Sequence, residues 1–102
     1  MAETTLVPRP AATLILARDA ADGIEIFMLQ RTHTAVFMPG VYVFPGGAVD
    51  PADASEELHA YCRGLDDAAA SRLLGLERGG LSYLVAAVRE CFEEAGLLLA
   101  ES

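Results

Sequence analysis

Three glutamates near the end of the sequence have a spacing that suits metal chemistry. Glu90, Glu93 and Glu94 follow Arg89, and at about 100° per residue of an α-helix the four side chains share one face. Like charges three or four residues apart destabilise a helix, and negative charge in its last turns opposes the macrodipole. A solvent-exposed charged surface is the ordinary alternative, but these unfavourable placements together predict a bound divalent cation. Mg²⁺ or Mn²⁺ fits, because hard cations select carboxylate, carbonyl and water oxygens.

The glutamates lie on the longest predicted helix, which runs from Tyr83 to about Ala95. Ser82 is predicted to cap its start, and Gly96 to end it in the left-handed conformation. The same helical count predicts a buried apolar stripe on the other side, which leaves the charged face free for chemistry. The stripe consists of Leu84, Val85, Val88, Cys91, Phe92 and Ala95.

The first half of the chain predicts strands. Two apolar runs, residues 12–18 and 23–31, indicate a β-hairpin with its turn at 19–23. A further strand is predicted at 41–44 and another begins at 97–100.

A proline and two glycines follow the predicted strand at 41–44. Pro45 is expected to end that strand, because proline cannot donate to a ladder. Gly46 and Gly47 then free the backbone for unusual dihedral angles, or permit a close backbone approach.

Residues 54–80 are rich in helix formers and small residues and carry no recognisable chemistry. Ser55 is predicted to cap one short helix there. Asp66 or Asp67 is predicted to cap a second helix that ends at Leu74.

The glutamate helix resembles half of a known motif. The sequence R-E-C-F-E-E-A-G-L that begins at Arg89 resembles the helical half of the Nudix box, R-E-u-x-E-E-x-G-u with u aliphatic, except that Cys91 is a small apolar substitute. In that family a glycine loop precedes the helix, G-x5-E-x7-R-E, and an F-P-G-G sequence supplies the loop entry here. Counted from Gly47, the box glutamate position holds Asp53. The box arginine is expected at position 61 and stands 28 residues later, so residues 54–80 are interpreted as a helical insertion within the box.

A branch of the superfamily, similar to the peroxisomal coenzyme A diphosphatases, carries such an insertion. Its signature is close to L-Q-R…F-M-P-G-x-x-V-F-P-G-G-x-x-D-x-A-D, and residues 29–31 and 37–53 resemble it. A broader coenzyme A motif, R-[SA]-x3-R-x3-G-x3-F-P-G-G, is met at Arg31, at Gly40 and in the F-P-G-G sequence. Thr32 and Val36 depart from that motif.

The resemblance implies roles for the motif residues. Glu90, Glu93 and Glu94 would bind the metal together with the carbonyl of Gly46. Arg89 would orient a carboxylate through an ion pair, with a direct phosphate contact as the lesser alternative. Arg89 and the three glutamates are therefore the predicted catalytic residues.

Three further residues receive candidate roles. Arg31 and Gly47 would contact the substrate, although Arg31 could instead be an ordinary surface arginine and Gly47 part of a tight turn. Asp53 would do part of the work of the missing box glutamate, with an ordinary loop aspartate as the alternative. His33 and His59 have no partner pattern and receive no role.

The composition excludes several classes of protein. The chain has 102 residues, a formal net charge of −8 and 53% hydrophobic residues. That apolar fraction excludes intrinsic disorder, while no run approaches the roughly 18 apolar residues of a membrane span. The acidic balance excludes binding of nucleic acid through a basic patch. Cys62 and Cys91 lack zinc-site spacing and the first residues lack signal-peptide features, which together predict a cytoplasmic, reducing compartment.

The sequence therefore predicts a metal-dependent pyrophosphohydrolase. It would use Mg²⁺ or Mn²⁺ to cleave a diphosphate linkage in a nucleoside diphosphate derivative, including coenzyme A or acyl-CoA. Two alternatives stay open: a non-catalytic Nudix-fold module that binds or responds to a nucleotide-like ligand, and an inactive fragment of a larger enzyme. The expected fold is α+β, a Nudix-type α/β/α sandwich with a mixed sheet. We expect residues 1–102 to form the N-terminal part of that single domain, with its exposed apolar surface covered in a homo-oligomer.

Overall fold

A computed structural model of the protein describes residues 7–34 and 39–101. Residues 35–38 of the family pattern lie outside the described residues. Six strands precede three helices, and a 3-10 turn at Pro51–Ala54 separates the two groups. The strands are β1 (Ala11–Thr13), β2 (Ala17–Ala20), β3 (Gly23–Ile26), β4 (Leu29–Gln30), β5 (Tyr42–Val43) and β6 (Gly46–Ala48), and the helices are α1 (Glu56–His59), α2 (Asp67–Leu74) and α3 (Gly80–Ala95).

The strands form three two-stranded antiparallel sheets, β1–β6, β2–β3 and β4–β5. The predicted α+β class is confirmed, although the described residues form these small sheets rather than one mixed sheet. The predicted hairpin is present as β2–β3, where Arg18 lies opposite Glu25. The run predicted as one strand at 12–18 is divided, because its first part pairs with β6 and its last part with β3.

The glycine pair lies within a strand. We expected unusual dihedral angles after Pro45, but neither Gly46 nor Gly47 has a positive φ, and both pair with β1. Close approach is the reason for glycine at these positions. A Cβ on Gly46 would overlap the carbonyl oxygen of Ala12 on the paired strand.

The helix caps in the first two helices agree with the sequence predictions. The Ser55 side chain accepts from the backbone N–H of Leu58 at the start of α1. Asp66 accepts from that of Ala69 at the start of α2, at 2.8 Å. Gly96 ends α3 in the left-handed conformation with φ 71°.

The start of α3 differs from the prediction. The helix begins at Gly80 rather than Tyr83, and Ser82 is buried inside its first turn instead of capping it. Helix α2 supplies the missing cap from outside, since Asp67 and Ser71 accept from backbone N–H groups there. A cap from a distant side chain cannot be recognised from local spacing.

The buried face of α3 is also rotated from the one predicted. Ala86, whose direction lies between those of Arg89 and Glu90, is fully buried. Phe92, predicted to be in the core, is 51% exposed, while Leu84, Val85, Val88 and Ala95 are half-buried. Among the predicted stripe, Cys91 is buried. Helix α3 packs against α2, β1, β6 and the 3-10 turn. Arg89 and Glu90 face β6 and the turn, whereas Phe92 lies on the exposed side of the helix.

The chain after α3 is irregular. The expected strand at 97–100 is absent, since these described residues pair with no strand. Leu97, Leu98 and Leu99 are exposed. No helix within residues 7–34 and 39–101 combines the length and the apolar character needed to cross a membrane.

Gly80→Ala tests the contact between α2 and α3. The added Cβ would overlap the backbone nitrogen and Cα of Ser71. Alanine has a helix propensity better by about 1 kcal/mol, but overpacking costs about 1–3 kcal/mol. We therefore expect a net loss in the free energy of unfolding, measured by chemical denaturation. A variant at least as stable as the parent would contradict this packing.

Candidate active site

The site is organised by an ion pair between Arg89 on α3 and Asp53 in the 3-10 turn. Arg89 Nε donates to Asp53 Oδ1 at 2.8 Å and Nη2 to Oδ2 at 2.9 Å. The Asp53 side chain is 0% exposed. Its Oδ2 also accepts from the backbone N–H of Asp50 at 2.8 Å, which closes the turn. The carboxylate is therefore fixed by its own turn on one side and by the helix on the other.

Each partner changes the pKa of the other. The hydrogen bonds from Arg89 lower the pKa of Asp53 below its ordinary value, against the opposing effect of burial. The same bonds to Asp53 raise the pKa of Arg89, and those to Glu90 and Glu93 add to the rise. Both groups are consequently charged at neutral pH.

Arg89 also holds two of the three predicted metal ligands. Its Nη1 donates to Glu90 Oε1 at 2.9 Å and to Glu93 Oε2 at 3.1 Å. Nη2 reaches the carbonyl oxygen of Ala48 in β6 at 3.0 Å. One guanidinium thus offsets part of the like-charge repulsion that first indicated a cation.

The two glycines of β6 lie next to the carboxylates of Glu90 and Glu94. A Cβ on Gly47 would lie 2.5 Å from the carboxyl carbon of Glu90, so only glycine leaves room for that carboxylate. The backbone N–H of Gly46 donates to Glu94 Oε1 at 3.1 Å. Helix α3 and strand β6 therefore meet through acidic side chains over bare backbone.

The carbonyl of Gly46 faces the same side as Glu94. In an antiparallel ladder, hydrogen-bonded and non-hydrogen-bonded pairs alternate. Leu14 N donates to Pro45 O, so the next pair, Thr13 and Gly46, is a non-hydrogen-bonded one. Both backbone polar groups of Gly46 then point away from β1, and its N–H already reaches Glu94.

The chemistry of these groups fits a hard divalent cation. Carboxylate oxygens and a backbone carbonyl oxygen are the donors that Mg²⁺ and Mn²⁺ prefer. In the described residues, however, no three acidic, histidine or cysteine side chains converge as a metal-binding group. Glu90 and Glu93 turn toward Arg89, whereas Glu94 turns toward Gly46. Their role as metal ligands stays a prediction.

Arg31 lies beside the same site. An open cleft between the β4–β5 sheet and α3 is lined by Arg31 and Glu94. The backbone around Arg31 is fixed, since its N–H donates to Val41 O at 2.8 Å. Gln30 Nε2 donates to Gly40 O at 3.1 Å within the same sheet region. The remaining lining residues are Leu29, Gln30, Thr32 and Val43.

Comparison with known proteins gives both sequence and structural relatives. No protein-family model matches the chain. A Caenorhabditis elegans protein provisionally named nudix hydrolase 7 is 40% identical over 90 residues, covering 88% of this chain and 22% of the relative. An acyl-coenzyme A diphosphatase of Homo sapiens is 35% identical over 102 residues, covering 78% of this chain and 27% of the relative.

A solved structure agrees with these relatives. The crystal structure of a Nudix hydrolase from Alicyclobacillus acidocaldarius matches with a TM-score of 0.69 and 35% identity, over 94% of this chain and 40% of that chain. The chain belongs to the Nudix superfamily. It spans about a quarter of the length of the curated relatives it matches.

In the predicted Nudix box, Gly46, Gly47 and Asp53 stand in the loop half and α3 carries the helical half. The residue pair 53 and 89, 36 positions apart, joins them directly. Helices α1 and α2 fall between the halves, where we predict the insertion.

The contacts of two residues near the site are not predicted from the sequence. His59 Nε2 lies 2.8 Å from the carbonyl oxygen of Asp53, although histidine spacing gave it no role. The sequence predicts Asp67 only as an alternative cap for α2, whereas its carboxylate accepts from backbone N–H groups at the start of α3. An acidic residue left over beside a capped helix start is the one local signal that indicates such a second role.

Asp53→Asn is expected to lower the free energy of unfolding by about 3 kcal/mol at pH 7, because it leaves Arg89 without its buried partner. The pKa of Asp53 is depressed in the folded state, so its contribution is complete above the unfolded value, 3.8, and is lost as pH falls through the lower folded value. Urea denaturation from pH 7 to pH 2 should show the difference between the two proteins narrowing below about pH 4.

The matched control is Asp22→Asn in the exposed hairpin turn. It removes the same charge without a buried partner and should change stability little at any pH. A stability difference for Asp53→Asn that stays constant with pH would contradict the ion-pair assignment.

Proposed function

We propose that the chain carries the Nudix box of a metal-dependent pyrophosphohydrolase that cleaves a diphosphate linkage in a nucleoside diphosphate derivative. The observation that supports this is the approach of Glu90 to the bare backbone of Gly47 and of Glu94 to the N–H of Gly46. Glu93 lies beside Glu90 on the same helix, where both bond Arg89 Nη1, and Glu94 also lines a cleft that contains Arg31.

The metal would be Mg²⁺ or Mn²⁺, held by the three glutamates and the carbonyl of Gly46. When bound, it supplies charge neutralisation for the diphosphate and a more acidic bound water. Arg89 holds Glu90 and Glu93 in place through Nη1. Because Arg89 is itself fixed by Asp53, it orients these carboxylates rather than contacting substrate.

Arg31 is proposed to bind a phosphate group of the substrate. Its cleft includes Glu94, so a diphosphate placed there would lie between a guanidinium and the carboxylate site. Gly47 is proposed to contact the substrate through its backbone, beside the Glu90 carboxylate that occupies the space a side chain would take.

Coenzyme A or acyl-CoA is the proposed substrate class. Relatives named acyl-coenzyme A diphosphatase, from Homo sapiens and Gallus gallus, are 35% and 31% identical to this chain. Thr32 stands where the coenzyme A motif has a smaller residue, so other nucleoside diphosphate derivatives belong in the same assay.

A second candidate function is ligand binding without turnover. It is favoured by the engagement of Glu90 and Glu93 with Arg89, which leaves no three-carboxylate group among the described residues. Product analysis with coenzyme A, ADP-ribose and dinucleoside polyphosphates separates the two functions, since a binding module would bind a ligand and release it unchanged.

We further propose that the protein works in a reducing, cytoplasmic compartment and forms a homo-oligomer. Cys62 and Cys91 are both free thiols, which is compatible with such a compartment. The exposed Phe92 of α3 offers apolar surface that a second copy would cover.

Glu93→Gln and Glu94→Gln, each in the full-length protein, are expected to lower Mg²⁺- or Mn²⁺-dependent hydrolysis by about 100-fold or more, since a neutral amide is a poor ligand for a hard cation. Initial rates with each candidate substrate provide the measurement. Glu57→Gln, at an exposed position on α1, is the control for loss of one charge and should keep full activity. Unchanged rates in both glutamate variants would exclude the proposed site.

Arg31→Ala is expected to raise KM about tenfold with little change in kcat, because it removes a charged contact that is made before and during reaction. Arg31→Lys should recover part of that loss. Arg18→Ala, which removes an exposed arginine paired with Glu25, is the control. A loss confined to kcat would show that Arg31 acts on the transition state or on folding instead of on substrate binding.

A further inference from the structure

The predicted insertion contacts the Nudix box at both ends. His59, the last residue of α1, places Nε2 2.8 Å from the carbonyl oxygen of Asp53 in the loop half. Helix α2 contacts the beginning of α3, which carries the helical half. A segment without catalytic groups of its own thus binds both parts that must meet in the site.

The contact at α3 replaces a helix cap. Gly79 is the N-cap residue and has no side chain to accept a bond, and the first turn of α3 contains no acidic residue. Asp67 Oδ2 accepts from Gly79 N at 3.0 Å and Oδ1 from Leu81 N at 3.1 Å. Ser71 Oγ accepts from Gly80 N at 2.8 Å. Two side chains of α2 therefore satisfy three consecutive backbone N–H groups that every helix start leaves without a partner.

The contact between α2 and α3 is closely packed and includes the Asp67 carboxylate. A Cβ on Gly80 would overlap the backbone of Ser71, which is itself 1% exposed. Neighbouring Ala70 is fully buried. Hydrogen bonds from Gly79 and then Leu81 lower the pKa of Asp67, so its carboxylate is ionised at the positive end of the α3 dipole. Helix α2 cannot slide along α3 without breaking these bonds.

Helix α3 is consequently fixed at two points. Arg89 follows Leu81 by eight positions, which corresponds to about 12 Å along the helix axis. The glutamates follow Arg89 within about one and a half turns. A shift or rotation at the helix start would be transmitted along this rigid segment to Glu90 and Glu94, whose carboxylates have little space over β6.

We propose that Asp67 and Ser71 are positioning residues, which set the placement of α3 so that its glutamates reach Gly46 and Gly47. The insertion would then serve as a brace for the catalytic helix. The inference concerns the site named under the proposed function and rests on it for its catalytic meaning.

The test compares Asp67→Ala, Ser71→Ala and Asp67→Asn in the full chain. The first readout is amide hydrogen exchange at residues 79–81, which we expect to be about fivefold to tenfold faster without the cap. The second is the amide of Gly46, whose exchange rate and chemical shift report its bond to Glu94 in the absence of metal. The third is the affinity for Mn²⁺, expected to fall about threefold to tenfold. Asp67→Asn, which keeps one oxygen acceptor, should be intermediate in all three.

Asp66→Ala is the matched control. Asp66 caps α2 itself through Ala69 N and makes no bond to α3. It should destabilise the insertion to a similar degree while leaving the Gly46 amide and Mn²⁺ affinity unchanged.

The outcomes separate the two proposals. Faster exchange at 79–81 together with a changed Gly46 amide in Asp67→Ala supports positioning. Faster exchange at 79–81 with an unchanged Gly46 amide overturns it, as does an equal effect of Asp66→Ala. If the parent chain binds no Mn²⁺ while the Gly46 amide still responds, positioning holds and the proposed metal-dependent function fails.

Discussion

The bidentate pair between Arg89 and Asp53 is the interaction on which the site depends. A fully buried carboxylate loses several kcal/mol of hydration, so Asp53 is stable there only while the guanidinium faces it. Arg89 then uses its remaining donors on Glu90, Glu93 and the carbonyl of Ala48. The guanidinium of Arg89 therefore joins the turn, the strand and the helix. The same group orients the carboxylates of Glu90 and Glu93.

That arrangement changes the meaning of the repulsion among the glutamates. The sequence alone predicts that three acids on one helix face bind an external cation, with a solvent-exposed charged surface as the alternative. The structure shows that Arg89 offsets the charge of Glu90 and Glu93 and that Gly46 donates to Glu94. A metal at the proposed site would thus compete with Arg89 and with the Gly46 N–H for these carboxylates.

Local signals were sufficient for some elements and insufficient for others. Ser55, Asp66 and Gly96 act on backbone groups within a few residues, so their roles could be predicted from spacing alone. The start of α3 could not, because its cap comes from Asp67, twelve residues before Gly79. Periodicity likewise predicts an apolar stripe on α3, but it does not show which elements α3 packs against. Gly47 leaves room for the Glu90 carboxylate and the Gly46 N–H donates to Glu94, so Arg89 and Glu90 lie against the strand and Phe92 remains exposed.

The predicted insertion costs little folding free energy. Lengthening the connection between box halves from 8 to 36 positions adds about 1.3 kcal/mol of loop-closure free energy if the segment is flexible. The predicted insertion is not flexible, since His59 binds the carbonyl of Asp53 and Asp67 binds the start of α3. Each contact shortens the flexible segment between residues 53 and 89, so the entropy lost on closing that loop is smaller than for an unstructured segment of the same length.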